Sequence, residues 1–149
     1  QNGTFLRVDE PAELGHGDEF MVGDQLLRVE LLNLQSEYPM QEDTLMYVSP
    51  PKDYKFRLVH VLRGGRPSGA YCSPNNEILV GREGCDVNFQ QDQHVSTQHA
   101  RVSWKDGGVV VEDLDSKNGT YVRIADEQRL HHGDYVYVGN ELLRVEINE

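Results

Sequence analysis

Apolar residues in this chain occur in short runs of four to seven positions, separated by turn-forming Gly, Asn, Asp and Pro. Runs of this length that are rich in β-branched or aromatic residues are typical of strands, whereas an amphipathic helix repeats its apolar positions every 3.6 residues. Few windows show the helical period. The pattern predicts strands at 56–62, 77–80, 99–104, 109–112, 120–123, 135–138 and 141–145.

Two turn sequences separate pairs of these strands. Lys105-Asp106-Gly107-Gly108 and Val138-Gly139-Asn140-Glu141 both contain residues that adopt positive φ readily, as tight hairpin turns require. Many short strands at close spacing predict an all-β fold, an antiparallel β-sandwich. In such a fold the loops at one end are the usual place for a functional site.

Part of the chain repeats itself. Shifting the sequence by 116 positions places residues 2–32 on 118–148 without a gap, and 15 of the 31 pairs are identical. Chance does not produce this agreement, and a fixed-period repeat indicates tandem copies of one unit. We therefore expect residues 1–34 to be the C-terminal fragment of a first copy and 54–149 to be a complete second copy. Residues 35–53, which contain Ser49-Pro50-Pro51, have the composition of a linker.

The first, partial copy raises a question of burial. By itself it would expose apolar residues and unpaired strand edges, which attract other chains. We expect a homo-oligomer or a partner chain to cover residues 1–34. The residues that need this cover are Phe5, Leu6, Phe20, Val22, Leu26 and Leu27.

Charge excludes some partners. The 14 Lys and Arg residues are outnumbered by 25 Asp and Glu, which gives a net charge of -11, and this charge repels a nucleic-acid backbone. No apolar run approaches the length of a membrane span. The two cysteines, Cys72 and Cys85, have no metal-binding spacing. We expect a cytoplasmic protein with no nucleic-acid or membrane partner, no metal and no cofactor.

Motifs for catalysis are weak. Gly81-Arg82-Glu83-Gly84 lacks the lysine of a phosphate-binding P-loop, and the six histidines show no HExxH spacing. Ser96 and His99 could suggest a nucleophile and its base, but no orienting third group or oxyanion hole is identified. We do not expect an enzyme.

Three loop elements form a different pattern. Gly81-Arg82 follows a predicted strand, Ser96-Thr97-Gln98-His99 precedes one, and Ser116-Lys117-Asn118-Gly119-Thr120 lies between two. In this order the chain resembles the forkhead-associated (FHA) family over about 56–147, and residues 1–32 resemble the end of a second FHA copy. The resemblance implies a β-sandwich of about eleven strands, with an extra partial set at the N-terminus, that binds phosphothreonine peptides through its end loops.

The resemblance assigns roles that suit the chemistry of a phosphate. Arg82 would bind the phosphate through charge-assisted hydrogen bonds. Ser96 and Thr97 would donate hydrogen bonds to its oxygens, and Asn118 would hold the peptide main chain because an amide both donates and accepts. Gly119 would permit the turn that presents Asn118.

Three further residues are assigned through the same resemblance. His99 would support the phosphate loop without touching the ligand, Gly81 would leave room for Arg82 to face the loops, and His94 would help select the third residue after the phosphothreonine. Each assignment has a plain alternative. Arg82 could be a solvated surface arginine, Ser96 a turn residue, His99 a core histidine, and Asn118-Gly119 a simple turn. His94 could equally be an ordinary loop residue.

Two classes of function remain after these exclusions. The first is a phosphothreonine-binding adaptor that acts downstream of a Ser/Thr kinase. The second is a scaffold or oligomerisation module that does not depend on phosphate. In the acidic linker, Thr44 follows Glu42-Asp43 and is a candidate for phosphorylation, after which it would occupy the site of its own or a neighbouring chain.

Overall fold

The computed structural model describes residues 3–32, 55–62, 65–73, 75–124, 130–138 and 141–147. These residues form thirteen β-strands and no α-helix. The strands are β1 (Thr4–Arg7), β2 (Ala12–Leu14), β3 (Glu19–Val22), β4 (Gln25–Leu31), β5 (Phe56–Val61), β6 (Pro67–Tyr71), β7 (Glu77–Gly81), β8 (Val87–Asn88), β9 (Ala100–Lys105), β10 (Gly108–Asp113), β11 (Thr120–Ile124), β12 (Tyr135–Val138) and β13 (Glu141–Arg144).

The strands form two sheets, which confirms the predicted all-β sandwich. One sheet has the order β13-β12-β1-β11-β3-β4-β5-β6 and the other β2-β10-β9-β7-β8. The described pairings are antiparallel apart from that of β7 with β8, which is parallel. Every run predicted as a strand forms one, and β1, β3 and β4 match three of these runs through the repeat. Strands β2, β6 and β8 were not predicted, because β2 and β8 have only three and two residues and β6 begins at Pro67 and contains Gly69.

The core lies between the inner faces of the two sheets. Strand β10 shows why these residues form it: Val109 and Val111 point inward and are buried, while Val110 and Glu112 between them are partly exposed. This period-two alternation buries one face of each strand. The largest side chains that are fully buried come from both sheets and include Phe20, Phe56, Leu27, Leu58, Ile78 and Val102.

The turn between β9 and β10 has the predicted geometry. Lys105 pairs with Gly108, and the two residues between them, Asp106 and Gly107, have φ values of 48° and 87°. Positive φ at both central positions is the mark of the tight hairpin turn that matches the twist of its strands. The second predicted turn includes residues 139 and 140, which lie outside the described part of the chain.

The N-terminal strands are built into the sandwich. Strand β3 pairs with β11, with Val22 opposite Thr120, and β4 pairs with β5, with Val29 opposite Leu58. Strand β2 pairs with β10 in the other sheet. We call β3 with β4 the N-terminal hairpin, β12 with β13 the C-terminal hairpin, and the space between β11 and β5 the hairpin slot.

Burial of the N-terminal strands corrects one expectation. Phe20, Val22 and Leu27 are buried within this chain, because β5 and β11 pair with the N-terminal hairpin and the second sheet packs against it. Phe5 is buried on β1, which lies between β11 and β12. The prediction that a second copy or a partner chain must cover residues 1–34 is wrong for these side chains.

The strand order also differs from that of a sandwich formed by residues 54–149 alone. In the structure the N-terminal hairpin fills the hairpin slot, while the C-terminal hairpin pairs with β1. The physical reason is the repeat, since both hairpins carry nearly the same sequence and the repeat alone does not say which one closes the sheet. Residues 33–54, which include Thr44 and the whole of the predicted linker, lie outside the described residues. In the described part of the chain, no helix is both long and apolar enough to cross a membrane.

Candidate functional site

Three loops meet at one end of the sandwich, and backbone hydrogen bonds join two of them. They follow β7 (residues 82–86), precede β9 (89–99) and precede β11 (114–119). The Arg82 N–H donates to the carbonyl oxygens of Ser96 and Thr97, at 3.0 and 3.1 Å. This forked bond holds the first residue after β7 against the middle loop.

The third loop is bound to the middle one by side chains. The Lys117 N–H donates to Ser96 Oγ at 3.0 Å, and Asn118 Nδ2 donates to the His94 carbonyl oxygen at 3.1 Å. The sequence selected six ligand-binding residues, and the structure places all six in these loops. They are Arg82, His94, Ser96, Thr97, Asn118 and Gly119.

Hydrogen-bonding capacity is left free at this end. Arg82 is partly buried, and within the described residues its guanidinium forms no ion pair. Ser96 Oγ accepts a hydrogen bond from Lys117, so its own hydroxyl proton can be donated elsewhere. Thr97 and Asn118 are exposed. The arrangement can therefore offer a positive charge and several donors to an anion.

Gly81 allows the middle loop to lie against β7. It is buried at the end of that strand, and a Cβ at this position would overlap the Thr97 carbonyl oxygen and lie 2.7 Å from Cys85 Sγ. A backbone oxygen cannot move away as a flexible side chain can. The space that glycine leaves is therefore filled by the loop that carries Ser96 and Thr97, in addition to any freedom it gives Arg82.

His99 connects two of the loops from inside the protein. It is fully buried, its Nδ1 accepts the Ser96 N–H at 3.0 Å, and its Nε2 lies 2.8 Å from the Gly119 carbonyl oxygen. Nδ1 must be unprotonated to accept the Ser96 N–H, and Nε2 must carry a proton to donate to the Gly119 carbonyl oxygen. The ring is therefore neutral and protonated at Nε2. This position fits the supporting role expected from the sequence.

Burial lowers the pKa of His99. The hydrogen bond to Gly119 and the nearby carboxylates of Asp113 and Asp92 act in the opposite direction, but they do not offset the loss of hydration. Protonation would place a proton on Nδ1, where the Ser96 N–H already points. The cationic ring therefore opposes the described loop geometry.

We expect stability to decrease on acidification through this group. A lowered pKa in the folded state means that the unfolded chain takes up the proton first, so the contribution is complete above the unfolded value of 6.5 and decreases as the pH falls below it. The slope is at most about 1.4 kcal/mol per pH unit for one proton. Urea unfolding of the native protein and His99→Gln between pH 7.5 and 5 should show a shallower decrease in the variant.

An NMR titration of the His99 ring provides a check that does not depend on the variant folding. Because the pKa of His99 is lowered from 6.5, the ring should be less than half protonated in the native protein at pH 6.5. Half-protonation at or above that pH would contradict the assignment.

A partly buried network of hydrogen bonds shapes the third loop and was not predicted. Asp113 Oδ1 accepts from the hydroxyls of Ser116 and Thr120, both at 2.6 Å, and its Oδ2 accepts the Ser116 N–H at 3.1 Å. Ser116 Oγ in turn accepts the Gly119 N–H at 2.9 Å, and Gly119 has a φ of 87°. The Asp-x-x-Ser spacing was a signal that could have been used, because such local side-chain bonds are common in turns.

The turn of the N-terminal hairpin supports the middle loop through Asp92. Asp92 Oδ2 accepts the Asp24 N–H at 3.0 Å and Gln25 Nε2 at 2.7 Å, and its Oδ1 accepts the His94 N–H at 2.8 Å. Burial alone would raise the pKa of Asp92, but the bonds from Gln25, Asp24 and His94 hold it below its usual value. No sequence signal pointed to Asp92 or Gln25, since the two are 67 positions apart.

His94 lies at the outer edge of this contact. Its Nδ1 is 3.2 Å from Asp24 and 3.7 Å from Asp92, and its side chain is 62% exposed. These three residues place metal-ligand types of atom within 4.8 Å of one another. Both Asp92 oxygens already accept hydrogen bonds, so the cluster is explained as a brace between the turn and the loop.

An open groove lies beside this brace. Its volume is about 500 Å³. It is lined by Asp24 and Gln25 from the N-terminal hairpin and by residues 88–94. His94, which lines this groove, also accepts the hydrogen bond from Asn118 through its carbonyl oxygen.

Comparison with known proteins agrees with the geometry of these loops. Residues 78–139 match the FHA domain family. This segment runs from β7 to the end of β12 and contains all three loops described above. FHA domains are interaction modules and not enzymes, and they bind phosphothreonine-containing proteins. The matched segment does not include the N-terminal hairpin.

Two relatives extend the FHA comparison. They are FHA domain-containing protein FhaB from two strains of Mycobacterium tuberculosis, each 30% identical over 89 residues. The alignment covers 57% of this chain and 57% of each relative, so only part of those proteins is represented. No solved structure matches the chain significantly.

Proposed function

We propose that this protein is an adaptor module that binds a threonine-phosphorylated protein through the three loops at the end of its sandwich. The observation that carries the proposal is the Arg82 guanidinium, which has no ion pair among the described residues and lies in the loop next to Ser96. A partly buried cation without a carboxylate partner is suited to an anionic ligand. The FHA match over this segment supports the choice of phosphothreonine.

Each residue has a role that its position permits. Arg82 would form charge-assisted bonds with the phosphate, which is close to dianionic at neutral pH. The hydroxyl of Ser96 and the exposed Thr97 would donate to other phosphate oxygens. Asn118, presented by Gly119, would bind the peptide main chain through the amide atoms not used by His94.

The net charge of -11 makes the binding dependent on local rather than overall electrostatics. Charges farther away than about 10 Å are largely screened at physiological salt, so the nearby arginine decides the attraction. We expect modest affinity that weakens as salt is raised, because the screening also reduces the contribution of Arg82.

We also propose that residues 1–34 are the C-terminal part of a second FHA copy, as the repeat indicates. Position by position the repeat keeps the apolar residues of the closing hairpin, for example Leu27 and Leu143.

We further propose that a Ser/Thr kinase phosphorylates the partner, and that Thr44 of this chain is itself phosphorylated. If phosphorylated Thr44 occupies the site, a Thr44-phosphorylated chain should bind added phosphopeptide less well.

Peptide binding tests the proposal directly. Fluorescence anisotropy should show that a degenerate phosphothreonine peptide pool binds, whereas the unphosphorylated pool and the matched phosphoserine pool bind at least tenfold more weakly. Ser96→Ala should weaken the phosphothreonine interaction without changing the melting temperature by more than a few degrees. Equal binding of phosphorylated and unphosphorylated pools would instead favour a scaffold that does not depend on phosphate.

A further inference from the structure

The two hairpins have the same hydrogen-bonded geometry. Five hydrogen bonds of the N-terminal hairpin recur 116 positions later. For example, the Gly15 N–H donates to Asp18 Oδ2 at 2.8 Å and the His131 N–H to Asp134 Oδ2 at 2.7 Å. Within each hairpin the strand register is also the same, with Phe20 opposite Leu27 and Val136 opposite Leu143.

Each hairpin pairs with a strand of the other copy of the repeat: the N-terminal hairpin pairs with β11, and the C-terminal hairpin pairs with β1. Strand β3 pairs with β11 in the register Val122↔Phe20, and β12 pairs with β1 in the register Leu6↔Val136. These two pairings are the same after a shift of 116. Strands β1 and β11 pair with each other, with Leu6 opposite Val122, so a local twofold axis relates the two copies at this point.

Burial distinguishes the two hairpins. Leu27 in the hairpin slot is 0% exposed, whereas Leu143, its counterpart in the C-terminal hairpin, is 52% exposed. Val22 and Val138 differ in the same way, at 0% and 45%. Val136, the counterpart of Phe20, is buried at 5% exposed, on the strand that pairs with β1. The C-terminal hairpin therefore carries an apolar face that matches the hairpin slot and is only partly covered where it lies.

We propose that the hairpin slot is a binding site with two alternative occupants, and that the C-terminal hairpin of this chain exchanges with the N-terminal hairpin in it. The proposal rests on the pairing of β1 with β11 and on the identical register in which each of these strands binds a hairpin. Exchange would place β12 beside β11 and β3 beside β1. Strands β1 and β11 would thus each still pair with one strand of a hairpin, in the same register as now, but with the other hairpin. Strand β13 would then pair with β5 in place of β4.

Chain length permits the exchange. The N-terminal hairpin would move to the far side of β1, which leaves β4 six strand spacings, or about 29 Å, from β5. Twenty-two residues, 33–54, connect these strands. A fully extended chain of that length reaches about 70 Å, which is more than enough to cover the distance.

Two differences between the hairpins favour the described occupant. Phe20 is replaced by the smaller Val136 in the C-terminal hairpin, which would leave space in the core. Gln25 is replaced by Glu141, which would put a second carboxylate beside Asp92 where the Gln25 amide now donates at 2.7 Å. Exchanging these residues between the hairpins should therefore reverse the preference.

Exchange would also alter the peptide site, a consequence that rests on the proposed function. The contact between Gln25 and Asp92 braces the middle loop, and Glu141 cannot donate the equivalent hydrogen bond when ionised. The occupant of the hairpin slot would thus set how firmly the loop that carries Ser96 is held. We expect weaker phosphopeptide binding when the C-terminal hairpin occupies the slot.

Disulfide trapping tests the exchange without any ligand. Glu30 and Arg57 lie opposite each other on β4 and β5, and Glu146 is the counterpart of Glu30. In a background with Cys72→Ser and Cys85→Ser, the pair Glu30→Cys/Arg57→Cys reports the described arrangement. The pair Glu146→Cys/Arg57→Cys reports the exchanged one.

The first pair should form an intramolecular disulfide readily in the otherwise native chain. The second pair should form one at least tenfold faster when four substitutions interchange the distinguishing residues, namely Phe20→Val, Gln25→Glu, Val136→Phe and Glu141→Gln. If that protein does not fold, Gln25→Glu with Glu141→Gln serves the same purpose. A folded, monomeric exchange variant in which the second pair does not form faster would overturn the proposal, as would disulfides that form only between molecules. Because the disulfide assay contains no phosphopeptide, its outcome does not depend on whether the proposed function is correct.

Discussion

Leu27→Ala is expected to lower the free energy of unfolding by about 2–5 kcal/mol, while Leu143→Ala, the same substitution at the matching position of the repeat, should change it by less than about 0.5 kcal/mol. The reason is burial, because Leu27 is enclosed in the core and Leu143 is about half exposed. Removing an enclosed side chain loses its transfer free energy and leaves a cavity. Urea denaturation of the two variants measures the difference.

The result also reads out which hairpin fills the slot. A large loss of unfolding free energy for Leu143→Ala, with little loss for Leu27→Ala, would place the C-terminal hairpin in the sandwich and contradict the described arrangement.

The double variant, Leu27→Ala with Leu143→Ala, adds a second comparison. The two side chains are in separate hairpins, so their effects should add if the hairpins stay in place. A Leu143→Ala loss that grows once Leu27 is already alanine would instead measure exchange.

Most strands could be predicted because their sequence pattern is local. Val109 to Glu112 alternates inward and outward, and Asp106-Gly107 has the conformational freedom that its turn needs. Strand β8 could not be predicted, since two residues carry no pattern and its pairing depends on the parallel contact of Val87 with Val80. Local preference thus accounts for the strands but not for every neighbour.

The loop residues of the candidate site could be selected from sequence for a similar reason. Arg82, Ser96 and Asn118 occur in short motifs whose order along the chain matters, and the structure brings their loops together. The residues that hold those loops were missed, because Gln25 meets Asp92 only through the arrangement of the sheets. A long-range contact between two polar residues leaves no periodic trace in one sequence.

The choice between two nearly identical hairpins was also beyond the sequence. The repeat predicts a complete unit at 54–149, and in the structure the N-terminal hairpin lies between β11 and β5. The decisive differences are few and small, such as Phe20 against Val136. Their effect depends on the core volume and on the carboxylate of Asp92, neither of which is visible before the fold is known.

Arg82→Ala is expected to weaken phosphothreonine-peptide binding about 30- to 150-fold, which corresponds to about 2–3 kcal/mol for a hydrogen-bonded charge pair. Arg82 has no ion pair among the described residues, so its truncation leaves no carboxylate without a partner. Its backbone N–H, which holds the middle loop, remains in the variant. The loss should therefore fall on binding and leave the melting temperature nearly unchanged.

Two further variants make the Arg82 measurement specific. Arg82→Lys keeps the charge but removes the planar pair of donors, so it should fall between the native protein and Arg82→Ala. Arg144→Ala removes an arginine on the edge strand β13, whose described ion pair is with its near neighbour Glu146, and should bind as the native protein does. Fluorescence anisotropy with one phosphothreonine peptide measures all three. Equal loss in Arg82→Ala and Arg144→Ala would mean that general charge, rather than a bound phosphate at Arg82, carries the interaction.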